Sequence, residues 1–252
     1  MADRCDVLTL AVEPVSPAAA SATVAGWAAE ARGRVVCAAN VHMVMEAWDD
    51  PGFARALAAA DLVVCDGRPL VWYCRAAGLG AARQARGLDL MLTACAAAER
   101  SGIRVGLYGG TPDALLLVRR RLSEAYPELD IVYSYSPPFR ELTPAEDDAV
   151  TGAIADAGVR ILFVALGCPK QERWMLGHRE RVAAVMLGVG AAVDFVAGSV
   201  PSAPRWMQVA GLEWAFRLTH EPRRLWRRYA RSNVRFVVLA ARTLLARRTC
   251  QT

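Results

Sequence analysis

Lysine is almost missing from this sequence. Of the 30 basic residues in the 252-residue chain, only Lys170 is not an arginine. Histidine is scarce too, because the 3 histidines occupy positions 42, 178 and 220 without metal-ligand spacing, and no Asp-x-Asp motif occurs. The sequence therefore predicts neither a catalytic metal site nor another cofactor.

Long apolar runs and paired cysteines are missing as well. No uninterrupted apolar run approaches the roughly 20 residues that cross a bilayer, and the opening residues, Met1 to Asp6, lack the apolar core of a signal peptide. The 7 cysteines form no Cys-x-x-Cys pair, and several lie in apolar runs, as Cys37 and Cys65 do. They indicate small buried side chains in a reducing compartment, so we expect a cytoplasmic protein without disulfides or a zinc site.

Positive charge is concentrated at the C-terminal end. Residues 217–252 contain ten arginines and one acid, a net charge of +9, whereas the remaining residues contain 20 basic and 24 acidic groups, a net charge of −4. Such a tail favours a phosphate-rich partner: an anionic membrane, a diphosphate or nucleic acid. With the composition change near Pro201, it predicts a body over residues 1–200 and a basic, mostly helical appendage over residues 201–252.

Short apolar runs alternate with longer helical stretches along the body. This alternation predicts parallel βαβ units, and so an α/β fold with a Rossmann-like, mostly parallel sheet. Because the strands are near-continuous apolar runs, we expect helices on both faces of the sheet. The predicted strands are residues 7–12, 34–38, 62–65, 104–108, 130–135, 160–166 and 183–189, and the predicted helices include residues 51–60, 88–101, 112–126, 144–157 and 171–181.

In an open α/β sheet, ligands bind beyond the carboxyl ends of the strands, and four strand ends carry suitable residues that we expect to converge in one crevice. Asp66 directly follows an apolar strand and precedes a glycine. It is a candidate general base, or else a turn or N-cap aspartate. Gly109 and Gly110 precede a helix start, where bare backbone N–H groups seat a phosphate, although two glycines also make ordinary turns.

The third strand end is Gly167, which leads into a helix start. Lys170 and Gln171 follow it and are expected at the crevice mouth, Lys170 as a phosphate partner and Gln171 as a polar contact to sugar or base. The alternative is a solvated helix start without a function.

The fourth strand end, residues 188–194, half matches a dinucleotide-binding fingerprint. It contains Gly190 but has Val193 in place of the third glycine, so it is weak support for NAD binding. At an earlier strand end, Asn40 either binds substrate or caps the following helix.

Two segments of the appendage are candidates for binding phosphate and membrane. Arg217, Arg224 and Arg228 fall close to one helical face if the helix continues through Pro222, and such a cluster suits a diphosphate leaving group. Residues 236–246 form an apolar stripe interrupted and followed by arginines, which is typical of a helix in a membrane interface. The alternative is a basic helix that packs on the body.

Several segments together resemble the WecG/TagA/CpsF glycosyltransferases, and the similarity spans about residues 7–230. Singly these segments are unspecific, but in this order and spacing they are highly specific. They are Cys65-Asp-Gly-Arg-Pro69, Arg86-Gly-Leu-Asp-Leu90, Leu107-Tyr-Gly-Gly110, Ala165-Leu-Gly-Cys-Pro-Lys-Gln-Glu172, Gly188-Val-Gly190 with Asp194 and Ala197-Gly198, and Gly211-Leu-Glu-Trp214 through Glu221-Pro-Arg-Arg224.

The resemblance implies an inverting, metal-independent transferase. It would move a sugar from a UDP-sugar to a polyprenyl diphosphate-linked sugar during surface polysaccharide assembly, as a peripheral protein on the inner face of the cell membrane that self-associates in some relatives. Asp66 would be the catalytic base and Gln171 a pocket residue. Arg217, Arg224 and Arg227 or Arg228 would belong to a mobile appendage that closes the site. To these we add, as candidate substrate-binding residues, Asn40, Arg86, Asp89, Gly109, Gly110, Gly167, Lys170, Glu172, Gly190 and Asp194.

The sequence departs from the family pattern at three places. Ala38 and Ala39 replace a threonine and a proline before Asn40, Gln84 replaces an arginine for which Arg83 or Arg86 would substitute, and Ser202 replaces another arginine. These changes do not alter the reaction class that the resemblance implies, but they leave the identity of the sugar open. Family members transfer N-acetylmannosamine, its uronic acid or glucose, so the resemblance limits the sugar to these three.

Two other classes of protein are alternatives. An NAD-dependent oxidoreductase would use the same kind of sheet, but the incomplete glycine motif argues against it. A non-catalytic protein would bind nucleic acid through the basic tail with a steep salt dependence. Because no recognisable nucleic-acid-binding module accompanies the tail, we expect no nucleic-acid partner.

Overall fold

A six-stranded, wholly parallel sheet forms the centre of the protein. The structure, a computed structural model, describes residues 4–220 and 222–249, without the side chains of residues 223–225, 227, 228, 248 and 249. The sheet has the strand order β4-β3-β8-β7-β5-β6, which confirms the predicted α/β fold. Its strands are β3 (Arg34–Ala39), β4 (Leu62–Cys65), β5 (Val105–Gly109), β6 (Ile131–Tyr135), β7 (Ile161–Ala165) and β8 (Val185–Gly188).

Helices cover both faces of this sheet, as predicted. Alternate residues of β3 show why, since Val36 packs into the core on one face while Val35 and Cys37 pack into the core on the other. One core is covered by α1 (Pro17–Ala28), α5 (Gly87–Ser101), α6 (Pro112–Ala125) and α9 (Ala192–Ala197). The other is covered by α2 (Val41–Asp49), α3 (Pro51–Leu57), α4 (Arg68–Ala76), α7 (Pro144–Asp156) and α8 (Lys170–Gly177).

The predicted strand over residues 7–12 is wrong. The segment belongs to an antiparallel hairpin of β1 (Cys5–Val7) and β2 (Leu10–Val12), because Leu8 adopts a positive φ of 57° and reverses the chain. The hairpin lies beside β4, and just after β2 Glu13 forms a bridge with Val64. The other predicted strands agree with the structure to within two residues.

Side-chain caps set where several helices begin. The hydroxyls of Ser16 and Thr111 accept hydrogen bonds from the first turns of α1 and α6, and Asn40 and Asp50 do the same for α2 and α3. Thr143 and Glu146 form a full capping box at α7. Because helices α2 and α6 directly follow strands, their N-termini lie at the carboxyl edge of the sheet, where a site is expected.

The C-terminal segment is helical, with α10 (Arg205–Val209), α11 (Glu213–His220) and α12 (Pro222–Thr249). Helix α12 packs on α2 through Phe236 and Ala240, and Arg235 pairs with Asp49. In the part of the chain that the structure describes, no helix has the length and apolarity to cross a membrane. The boundary predicted at residue 200 between body and appendage stays a prediction.

Cysteines occur as free thiols throughout the described ranges. Five of the six that the structure describes are buried, and Cys168 is half-buried. Their predicted role as small buried side chains therefore holds for the five.

Candidate active site

One open cavity lies at the carboxyl edge of the sheet and is closed on its outer side by the C-terminal helices. Its inner wall comes from the segments that follow β3, β4, β7 and β8, and its outer wall from α10, α11 and the start of α12. The lining residues that matter below are Asn40, Asp66, Arg86, Gly87, Gly167, Cys168, Gln171, Gly188, Gly190, Gln208, Glu213 and Arg217. Three of the four predicted strand ends thus converge, together with Asn40.

Asp66 is held from two sides by hydrogen bonds. The backbone N–H of Gly87 donates to its Oδ1 at 2.9 Å, and the Asn40 side-chain Nδ2 donates to its Oδ2 at 3.4 Å. Its backbone is fixed as well, since the Asp66 N–H donates to the Ala39 carbonyl and the Gln84 amide donates to the Asp66 carbonyl at 2.6 Å. Oδ2 is therefore the oxygen with the weaker contact, and it retains a lone pair for a proton.

The environment of Asp66 makes it a stronger base than an ordinary aspartate. Burial, with a smaller contribution from the nearby charge of Glu213, raises the pKa of its carboxyl to a net value of about 6. The hydrogen bonds from Gly87 and Asn40 and the charge of Arg217 act in the opposite direction. A carboxyl with this pKa is largely ionised at neutral pH and still accepts a proton readily, as a general base requires.

Gly87 is the close contact that makes this arrangement possible. A Cβ atom at position 87 would lie 2.9 Å from the Val189 carbonyl oxygen, so a side chain there would push the segment away from β8. Because Gly87 has none, its N–H reaches the Asp66 carboxylate. The sequence alone assigns no function to Gly87. It marks Gln84 only as the residue that replaces an arginine of the family pattern.

The sequence profile described as the Glycosyl transferase WecG/TagA/CpsF family matches residues 5–250. The chain belongs to this family. It is therefore a glycosyltransferase of polysaccharide biosynthesis, which confirms the resemblance deduced from the short motifs. A sugar donor and a sugar acceptor must both reach its active site.

Arg86 joins the body of the glycosyltransferase to its C-terminal helices. Its guanidinium makes a two-pronged ion pair with Asp89, with both N–O distances at 2.7 Å. Its Nη1 donates to Glu213 at 3.0 Å and to the Gln208 side chain. Asp89 is thus a partner of Arg86 and is not itself in the cavity wall. Of the two arginines proposed to replace the one lost at Gln84, Arg86 lines the cavity, whereas Arg83 is exposed and donates to the Ala81 and Ala82 carbonyls.

Arg217 supplies positive charge to the cavity from α11. Its guanidinium lies 5.6 Å from the centre of the Phe195 ring, and its Nε is buried without a hydrogen-bond partner among the described residues. The predicted single helical face of arginines stays a prediction, because residue 221, between the end of α11 at His220 and the start of α12 at Pro222, lies outside the described residues. Arg224, Arg227 and Arg228 lie on α12, with side chains outside the described part of the chain.

Four other candidate residues lie outside the cavity wall. The turn of Gly109 and Gly110 follows β5, and the Val193 side chain lies against Gly110. Lys170 is exposed, with its ammonium 5.6 Å from the centre of the Phe139 ring. The carbonyl of Asp194 accepts hydrogen bonds from the backbone at the end of α9. Lys170 and the turn after β5 therefore do not line this cavity, and their predicted roles in binding substrate stay predictions.

Gln171 and Glu172 occupy different layers of the site. Gln171 lies in the cavity wall between the strand ends of β7 and β8. Glu172 is fully buried behind it and accepts a hydrogen bond from the Gln171 amide. Glu172 therefore has no surface in the cavity and does not make the predicted direct contact with substrate in this structure.

Replacing Arg86 by alanine should loosen the C-terminal helices. The substitution removes the hydrogen bonds that join Arg86 to Gln208 and Glu213 in the C-terminal helices. It also leaves the carboxylates of Asp89 and Glu213 without their arginine partner. We expect amide hydrogen exchange of residues 205–220 to accelerate about tenfold, with little change in the strands of the sheet.

Arg83→Ala is the matched control, since it removes an exposed arginine three residues away. Its exchange rates over residues 205–220 should equal those of the wild type. Equal exchange in Arg86→Ala and Arg83→Ala would show that Arg86 does not hold these helices.

Proposed function

We propose that the protein transfers a sugar from a UDP-sugar to a polyprenyl diphosphate-linked sugar, with inversion and without a metal ion. The observation that carries this proposal is the half-buried Asp66 carboxyl in the wall of an open cavity, held by Gly87 and Asn40 and with a pKa raised to about 6. Family membership supplies the reaction class. The basic appendage and the half-buried Arg217 add cations suited to diphosphate groups.

Asp66 acts in this mechanism as the general base. Its Oδ2 takes the proton from the acceptor hydroxyl while that oxygen forms a bond to the anomeric carbon of the donor sugar. The bond between this carbon and the UDP oxygen breaks on the opposite face, which inverts the configuration. The proton passes from Asp66 to solvent after the products leave. Asn40 and Gly87 keep the carboxylate oriented during the transfer.

The negative charge that develops on UDP requires stabilisation. We place the diphosphate near the turns at Gly167 and Gly190, since both glycines line the cavity and the turn at Gly109 and Gly110 does not. The N-terminus of α8, at Lys170, lies three residues after Gly167 and favours negative charge. Arg217, with Arg224 and Arg227 or Arg228 from the appendage, completes the neutralisation.

The transfer assay uses N-acetylmannosamine, its uronic acid and glucose as UDP donors. The acceptor is a short-chain prenyl diphosphate-linked sugar, and EDTA is present throughout. Wild-type protein should release UDP with one of these donors and only when acceptor is added. Asp66→Asn should lower kcat at least about a hundredfold, because an amide cannot accept the proton.

Asp113→Asn is the control, because Asp113 is exposed on α6 and its substitution should leave kcat unchanged. Circular dichroism and the midpoint of thermal unfolding check that both variants fold. A near-normal kcat in Asp66→Asn would remove Asp66 from the mechanism, and UDP release that appears only when a divalent metal replaces the EDTA would remove the metal-independent route.

We also propose that the outer face of α12 binds an anionic membrane. Phe236 and Ala240 face the body, so residues about half a turn away point outwards: Val234, Val237, Val238, Ala241 and Leu245 are all exposed. Arg231 and Arg242 are exposed along one border of this apolar stripe. An apolar stripe bordered by arginines is typical of a helix that lies in a membrane interface.

Val234→Glu should weaken binding to phosphatidylglycerol vesicles about tenfold, since it places a negative charge in the centre of the stripe. Leu116→Glu on α6 makes the same change in charge at a side chain of similar exposure, 71% against 64%, and should bind vesicles like the wild type. Sedimentation with vesicles measures both. An equal loss in the two variants would contradict a specific role of α12.

A further inference from the structure

Glu172 is a buried carboxyl that the transfer mechanism does not use. It lies in the first turn of α8 and is 0% exposed. Its Oε1 accepts a hydrogen bond from the Gln171 Nε2 at 2.7 Å, and its Oε2 is buried near the Cys168 thiol without an N–H or O–H donor among the described residues. No cation in the described part of the chain forms an ion pair with it.

The surroundings of Glu172 favour its neutral form. The thiols of Cys168 and Cys37 lie near it, and neither group carries a positive charge. A buried carboxylate without a cation costs several kcal/mol more than the neutral acid. Burial accordingly raises the pKa of the Glu172 carboxyl above its ordinary value and outweighs the hydrogen bonds from Gln171 and the Cys168 thiol, which act in the opposite direction.

The Gln171 amide, in front of Glu172, is held in one orientation. The Gly167 N–H donates to its Oε1 at 3.3 Å, while its Nε2 donates to Glu172. Rotating the amide by half a turn would place its NH2 group against the Gly167 N–H. On the sheet side, Gly188 leaves space for the amide, since a Cβ atom there would lie 3.0 Å from the Gln171 Nε2.

Two hydrogen-bonding positions of Gln171 remain unused in this arrangement. An amide group has two N–H donors and two acceptor lone pairs, and one of each is occupied by Glu172 and Gly167. Gln171 is 4% exposed and borders the cavity beside Gly167 and Gly190. The remaining N–H and lone pair are therefore those that a bound ligand would meet.

We propose that Glu172 is a positioning residue, a neutral carboxyl that fixes the Gln171 amide in the orientation that recognises the donor substrate. The proposal rests on the proposed function in one respect, because it takes the ligand of Gln171 to be the UDP-sugar. Glu172 itself touches no substrate and transfers no proton. Its effect on the reaction passes entirely through Gln171.

Substitutions of Glu172 in the presence and absence of Gln171 test this proposal. Glu172→Gln keeps a neutral acceptor of the same shape, so the donor KM should stay within about twofold of the wild type. Glu172→Leu removes the acceptor and should raise the donor KM about tenfold, with a much smaller change in kcat. In a Gln171→Ala background, Glu172→Leu should change the donor KM less than about twofold.

Two results would overturn the proposal. If Glu172→Gln raised the donor KM as much as Glu172→Leu does, the carboxylate charge would be what matters. If Glu172→Leu raised the donor KM equally with and without the Gln171 side chain, Glu172 would act by supporting the surrounding fold and not by positioning Gln171.

A measurement on the protein without substrate separates this proposal from the proposed function. Protein labelled with ¹⁵N-glutamine gives side-chain amide signals from four residues, Gln84, Gln171, Gln208 and Gln251, and Gln171→Ala identifies the second. Glu172→Leu should shift the Gln171 signal, whereas Glu172→Gln should shift it much less. This result would stand even if no UDP-sugar were a substrate, and an unshifted Gln171 signal in Glu172→Leu would overturn the positioning role even in an active transferase.

Discussion

The hydrogen bond from the Gly87 N–H to the Asp66 carboxylate is the contact on which the site depends. It brings the turn after β4 against the start of α5, and it forms only because Gly87 lies against the Val189 carbonyl without a side chain. Asn40 adds a third segment, since one side chain caps α2 and also donates to Asp66. The base, at the end of β4, is thus oriented by the Asn40 side chain at the end of β3 and by a backbone N–H at the start of α5.

The C-terminal helices contribute charge as well as a wall. Glu213 accepts from Arg86 and raises the pKa of Asp66, while Arg217, on the same helix, lowers it. The strength of the base is therefore coupled to the position of α11. The helices that we propose bring arginines to the diphosphate therefore also adjust the proton affinity of Asp66, the proposed general base.

Much of the architecture was predictable because buried parallel strands are continuous apolar runs with polar residues at their ends. Asp66, Gly167, Gln171 and Gly190 were assigned from that rule, and the structure brings them to one cavity. The rule does not show which strand ends are neighbours. The turn at Gly109 and Gly110 follows β5, which lies beyond β7 in the sheet, and only the strand order reveals this.

Contacts between distant segments were not predictable in the same way. Gln84 looked like the loss of an arginine, yet its amide holds the Asp66 carbonyl across 18 positions of sequence. Glu213 lay within a family motif without an assigned role, and its contact with Arg86 joins residues 127 positions apart. The reversal at Leu8 had no glycine or asparagine to mark it, which is why a hairpin was predicted as one strand.

The pH dependence of kcat/KM tests the central claim, that Asp66 is a general base whose strength is set by its surroundings. Because the base must be ionised, kcat/KM should be constant near neutral pH and fall as the pH drops through about 6. In Glu213→Gln, which keeps an acceptor for Arg86 but removes the negative charge, this fall should move to lower pH. A profile that is flat down to the pKa of an ordinary aspartate, about 4, or one that Glu213→Gln leaves in place, would contradict the account.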